Sequence, residues 1–233
     1  MQFRVLGPLQ VMGAGGNEVR MHSAAQRRLM SILVLRAGTI ISSETLGEWL
    51  SLTPGALRTS VCRLRRILGS DTLATAPPGY ELVSDEIDAR AFEGLLHAAR
   101  DERDPLVARD LLERAVSLWH GDAYQEFVHE EWAIAECRRL SELRCGAIED
   151  LVELQVATGE WSSAIAQLEP LIQAHPLHDR PRGLLMRALA ESGRRADALR
   201  AYQSYRDLLV REIGTEPSRP LVELDRSIAR LEV

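Results

Sequence analysis

The 233-residue chain contains no lysine; all 28 of its basic residues are arginine. A bias towards GC-rich codons accounts for that most simply, although arginine also suits phosphate and guanine recognition. Cysteine is scarce. Cys62, Cys137 and Cys145 include no C-x-x-C pair, which excludes a disulfide scaffold and points to reduced thiols in a cytosol. Long hydrophobic runs are absent too. The stretch Leu29 to Leu35 is broken by Ser31 and falls far short of the ~20 residues of a membrane span. The opening MQFRVLGPLQ lacks the charged and apolar regions of a secretory signal. A cytoplasmic protein without membrane contact is expected. Enzyme motifs are also missing: there is no G-x-S-x-G, no G-x-x-x-x-G-K, no H-E-x-x-H and no distinctive carboxylate pair. No catalytic residue, cofactor or metal is therefore expected. His175 and His178 stand three apart with no further ligand at metal spacing, and read as loop residues.

What is present is an ordinary globular composition, 45% apolar and 27% charged with a net charge of −6. The charge is unevenly placed. Residues 1–84 hold nine arginines against five acids, whereas residues 85–233 hold 19 arginines against 29 acids. A basic module at 1–84 joined to an acidic one at 85–233 implies two domains with different partners.

The first module starts with strands. Phe3, Val5, Leu9 and Val11 fall on odd positions of Gln2–Met12, as one face of a strand requires. Gly13-Ala14-Gly15-Gly16-Asn17 reads as a turn and Glu18–Met21 as a second strand; the third glycine of a nucleotide loop is missing. His22-Ser23 starts a helix over Ala24–Arg36, ended by Gly38. Thr39–Ile41 is a short β segment, and Ser42 or Ser43 caps a brief helix carrying Leu46, Trp49 and Leu50. Thr53 and Pro54 then mark a strong helix start.

That helix, Pro54–Leu68, is the most informative segment. At 100° per residue, Leu57, Val61, Leu64 and Leu68 lie within about 60° of one another as a buried stripe. Thr59, Cys62, Arg63 and Arg66 lie opposite, with Arg58 and Arg65 on a flank, and no acid occurs between Glu48 and Asp71. Thr72–Thr75, Ala76-Pro77-Pro78-Gly79 and Tyr80–Val83 read as a hairpin. Helix, helix, basic helix, hairpin is the order of a winged helix-turn-helix. In that arrangement Thr59, Cys62, Arg63 and Arg66 face bases, and Arg58 and Arg65 meet phosphates. An exposed Cys62 beside arginines reads as a bystander or DNA-contacting thiol.

Beyond Asp85 helices dominate and the sequence repeats. Gly159 recurs as Gly193, Ala164 as Ala198, Leu168 as Tyr202 and Leu151 as Leu185, each pair 34 residues apart. Small residues at a tight turn and a helix crossing are what a tetratricopeptide-type hairpin needs. Helices over Ala91–Arg100 and Val107–Trp119 begin the stack in degenerate form, and Leu221–Leu231 closes it.

These residues resemble the Streptomyces antibiotic regulatory protein family of transcriptional activators. The likeness rests on M-Q-F-R-V-L-G-P-L, L-R-A-G-T-I-I-S-S-E-T-L, V-C-R-L-R-R-I-L-G and A-P-P-G-Y-E-L in the first module. In the second it rests on A-V-S-L-W-H-G, H-P-L-H, A-L-R-A-Y and L-V-R-E-I-G-T-E-P-S. The resemblance implies an OmpR-like winged helix (α+β) joined to an all-α, tetratricopeptide-like bacterial transcriptional activator domain. It implies binding of double-stranded DNA at promoter direct repeats as a side-by-side homodimer, recruitment of RNA polymerase holoenzyme, and control of a secondary-metabolite gene cluster. Pro54–Leu68 becomes the recognition helix and Thr75, Ala76, Pro77, Pro78 and Tyr80 the wing, with Arg63 on bases and Arg65 on backbone. Two departures stand out. The segment Trp49–Pro54 is shorter than the family's loop, and the ATPase or phosphopeptide-binding module of larger members is not expected here. The rival expectation is an interaction scaffold whose helical repeat binds a protein and whose winged helix reads no DNA. A ligand-sensing helical domain is compatible with the first reading.

Overall fold

The computed structural model describes residues 1–13, 15–21, 23–69 and 71–230. Ala14 of the expected turn, His22 of the expected helix start and Leu231 of the expected closing helix lie outside them. Helices dominate the described residues, with five short strands in two small sheets. The chain packs as two compact units: residues 1–101 with 114–143, and residues 102–113 with 144–233. Packing therefore divides the chain differently from the charge step between residues 84 and 85.

In the first unit, the expected Gln2–Met12 strand folds back on itself. β1 (Gln2–Arg4) pairs antiparallel with β2 (Gln10–Met12), with Phe3 opposite Val11. The reason is competition for the backbone between them. Val5 and Leu6 give their N–H groups to the Asp88 carboxylate at 2.9–3.0 Å. The carbonyls of the same two residues accept from Tyr124 and His120 at 2.7 and 2.8 Å. The alternation still holds as burial, since Phe3, Val5, Leu9 and Val11 are all in the core. Glu18–Met21, expected as a strand, adds only an isolated bridge between Met12 and Glu18.

α1 (Ala24–Leu35) buries Leu29 through Val34, and Gly38 takes the expected left-handed conformation at φ 78°. β3 (Ile41–Ser42) leads into α2 (Ser43–Leu50), whose cap is Ser42; its hydroxyl accepts from Thr45 N–H at 3.0 Å. α3 (Pro54–Leu68) follows, then β4 (Leu73–Ala76) and β5 (Gly79–Leu82). β3, β5 and β4 form one antiparallel sheet in that order.

α4 (Asp88–Asp101), the end of α5 (Pro105–Ser117) and the start of α6 (Glu131–Ala157) complete this unit. Aromatic edges fill the space between them. The Phe92 and Trp119 rings meet edge-on at 5.3 Å, and Trp132 packs against Tyr124 and Phe127. Arg27 and Arg28 of α1 pair with Glu126 and Glu130, and Arg27 also donates to the Leu9 carbonyl at 2.7 Å.

In the second unit, the end of α6 packs with α7 (Trp161–Ala174), α8 (Asp179–Glu191), α9 (Arg195–Ile213) and α10 (Arg219–Arg230). The 34-residue periodicity is visible in the packing. Gly159 and Gly193 turn with φ of 81° and 82°, and Ala164 and Ala198 are both fully buried where helices cross. Leu168 and Tyr202 sit in successive core clusters.

Replacing Asp88 with Asn leaves the N–H of either Leu6 or Ala89 facing an amide NH2 instead of an acceptor, since each donates to only one of the two carboxylate oxygens. Urea unfolding of Asp88→Asn is expected to show a loss of about 1–3 kcal/mol. A loss below ~0.5 kcal/mol, the level of an ordinary surface change, would contradict this role.

Candidate nucleic-acid interface

α3 owes its position to both of its faces. The Thr53 hydroxyl accepts from Ala56 N–H at 3.3 Å, and Pro54 occupies the first turn, where a missing N–H costs nothing. Leu57, Val61, Leu64 and Leu68 are buried, as their spacing requires, and α3 packs on α1 and α2. Ser51, at φ 53°, turns the chain between α2 and α3 in three residues, Ser51 to Thr53.

The opposite face is open. Arg58, Thr59, Cys62, Arg63 and Arg66 are all exposed. The Thr59 hydroxyl donates to the Gly55 carbonyl at 3.0 Å, one turn back. Among the described residues, Arg58, Arg63 and Arg66 have no ion-pair partner. This unmasked cationic ridge is about four turns long, the scale of an element that lies in a DNA major groove.

Arg65 stands apart from the others. It is half-buried, and its Nε donates to the Leu73 carbonyl at 2.8 Å while Nη2 donates to the Thr75 hydroxyl at 2.5 Å. Its guanidinium carbon lies 5.8 Å from the centroid of the Tyr80 ring. Arg65 thus fastens the β4–β5 hairpin to α3. Reading the helix as a charge stripe missed this; the signal was its place on the flank, next to buried Leu64.

The hairpin pairs Thr75 with Tyr80 and Ala76 with Gly79, leaving Pro77 and Pro78 at an exposed tip joined by a cis peptide. Of the five residues expected in the wing, Thr75, Pro77 and Pro78 are exposed, Ala76 is half-buried and Tyr80 is buried. Tyr80 is only 8% exposed and lies against the Arg65 guanidinium. Gly79 is required for another reason. A Cβ there would lie 1.7 Å from the Ile41 carbonyl oxygen, because β3 runs against it.

The bacterial transcriptional activator domain family matches residues 87–229. The regulatory protein DnrI of Streptomyces peucetius is 34% identical over the whole of this chain and 93% of its own length. The chain belongs to the Streptomyces antibiotic regulatory protein family. The regulatory protein AfsR of Streptomyces griseus is also 34% identical across this chain, which spans only 25% of it. A solved structure of Mycobacterium tuberculosis EmbR, in complex with a low-affinity phosphopeptide, superposes with a TM-score of 0.87 at 29% identity. That match covers 99% of this chain and 65% of the other. AfsR and DnrI are named as regulatory proteins, and RedD of Streptomyces coelicolor, 29% identical over 93% of this chain, is named as a transcriptional regulator. No helix among the described residues of this chain is long and apolar enough to cross a membrane.

Gly79→Ala must push β3 away from β5. Thermal unfolding should show a destabilisation of at least ~1–3 kcal/mol, the usual cost of overpacking. An unchanged midpoint would mean that the β3–β5 contact is not held in solution.

Proposed function

We propose that this chain is a DNA-reading transcriptional activator. On this reading α1, α2 and α3 with the β4–β5 hairpin act as an OmpR-like winged helix. α3 enters the major groove, and Thr75, Ala76, Pro77 and Pro78 form a wing over the adjacent backbone. Thr59, Cys62, Arg63 and Arg66 are the base-facing set and Arg58 is a phosphate contact. Arg65 has a double part: it fastens the wing and presents its remaining N–H donors to the backbone. The observation that carries the reading is the open side of α3, where Arg63 and Arg66 lie opposite a buried stripe and Arg58 lies on its flank, all three exposed and without an ion-pair partner among the described residues.

The family resemblance extends the proposal. Two protomers bind side by side on promoter direct repeats, recruit RNA polymerase and switch on a secondary-metabolite cluster. The three-residue link between α2 and α3 leaves little room for a polymerase-contacting loop there, so that contact is assigned to another surface.

The deciding experiment is a selection of bound duplexes from a random DNA pool, followed by affinities across a salt series. Enrichment of a direct repeat spaced near one helical turn is the expected result. Weak, sequence-blind binding would overturn it and favour an interaction scaffold built on the helical repeat.

Two variants separate the roles on the selected site. Arg63→Ala is expected to cost ~1–3 kcal/mol on cognate DNA and to relax specificity at one base pair; equal losses on cognate and random DNA would remove it from base reading. Arg58→Ala should weaken binding to all sequences alike and lower the logarithmic salt slope by about one. An unchanged slope would strike Arg58 from the phosphate contacts.

A further inference from the structure

The turn between α7 and α8 carries two histidines for which the sequence offers no neighbouring third donor. The fold brings two donors to it from α6. Cys145 and Glu149, one helical turn apart and both buried, face His178. The His178 backbone N–H donates to the His175 carbonyl at 3.2 Å, which closes the turn and fixes the start of α8. The Cys145 Sγ lies 3.8 Å from His178 Nδ1 and 3.6 Å from Glu149 Oε1. One donor atom from each of the three residues lies within 4.8 Å of the other two.

We propose that Cys145, Glu149 and His178 form a binding site for a zinc-class divalent cation. A tetrahedral ion with bonds of ~2.3 Å to sulfur and ~2.1 Å to nitrogen or oxygen needs edges of about 3.6 Å from the sulfur to each of the other donors. The Sγ–Oε1 edge of 3.6 Å matches that length and the Sγ–Nδ1 edge of 3.8 Å is slightly longer. The donor set suits the ion in charge as well, since a thiolate and a carboxylate together neutralise a dication. A thiolate with an imidazole selects a borderline-soft metal over magnesium or calcium.

Glu149 is already held for the task. Its second oxygen, Oε2, accepts from Arg180 at 3.1 Å, which leaves Oε1 directed at the sulfur. Arg180 also binds Asp150 at 2.7 Å and Glu153 at 2.9 Å, so its charge is shared among three carboxylates instead of opposing the metal alone. The ring of His175 stacks on that of His178 at 4.7 Å and 28°, which limits rotation of the ligating imidazole. Three protein donors leave a fourth coordination position for water, reached past the half-buried His178. Cys145 and His178 are 33 residues apart. The ion therefore ties α6 to the α7–α8 turn and closes a long loop in the repeat unit.

The test uses the full chain, reduced and stripped with a chelator, titrated first with cobalt(II) and then with zinc. One equivalent should bind, with a thiolate-to-cobalt charge-transfer band in the near ultraviolet that zinc displaces, and zinc should raise the unfolding temperature. Cys145→Ser should abolish the band. His178→Gln, on an accessible turn, should weaken binding by at least ~10-fold, and it keeps the test decisive if Cys145→Ser does not fold. A Cys62→Ser/Cys137→Ser double variant should keep the band. The proposal is overturned if the folded chain binds no stoichiometric metal, in which case the thiol only donates a hydrogen bond to Glu149. It is equally overturned if the band survives Cys145→Ser or disappears with the other two cysteines.

Discussion

The carboxylate of Asp88 is the joint on which the first unit depends. It sits at the first turn of α4 and accepts from the backbone of Val5, Leu6 and Ala89. Burial pushes its carboxyl above the usual carboxylate range, against the downward pull of those N–H groups and of Arg4. A buried carboxylate with so many donors is tolerable only where the donors are fixed. Here they are the backbone of the segment that turns β1 into β2. The same segment takes N–H groups from His120 and Tyr124 on its carbonyl side. The N-terminal hairpin is thus clamped by residues that lie far along the chain, within the part matched by the activator-domain family.

That clamp explains which parts of the fold were legible. Local signals did well: the Thr53-Pro54 start, the stripe of Leu57, Val61, Leu64 and Leu68, the Ser42 cap and the paired glycines at 159 and 193 each record a constraint met within a few residues. The Gln2–Met12 strand failed as one element because its alternation encodes burial and not strand pairing. Val5 and Leu6 are buried, but their hydrogen bonds go to Asp88, Tyr124 and His120. The charge step at 84/85 marks a change in surface chemistry, whereas residues 114–143 pack with the first unit, within which Phe92 meets Trp119 edge-on.

The candidate interface divides in the same way. Which residues of α3 face outward follows from helical geometry, so the exposed set Arg58, Thr59, Cys62, Arg63 and Arg66 could be read directly from spacing. What Arg65 touches depends on where the hairpin lies, and that is fixed by β3 closing on Gly79. An arginine on the flank of a helix carries the same sequence signal whether it ends on a phosphate or on a neighbouring carbonyl. The same holds for His178, whose partners Cys145 and Glu149 belong to a different helix.

A chain whose only strong base is arginine has to distinguish its structural cations from its binding ones by their surroundings. Over much of the molecule the distinction is made by supplying an acid. Arg109 is held by Glu113 and Glu160, Arg139 by Glu93 and Glu136, and Arg206 by Glu216. Such exposed pairs contribute little to stability, but they occupy the guanidinium. On α3 the acids are withheld. Among the described residues, an incoming phosphate or guanine then has no intramolecular ion pair to displace from Arg58, Arg63 or Arg66. At physiological salt the Debye length is about 8 Å, so carboxylates farther away than that are largely screened from this face. A chain of net charge −6 is therefore compatible with a local anion-binding surface, and on the DNA-reading proposal it is the distribution of its carboxylates that places that surface.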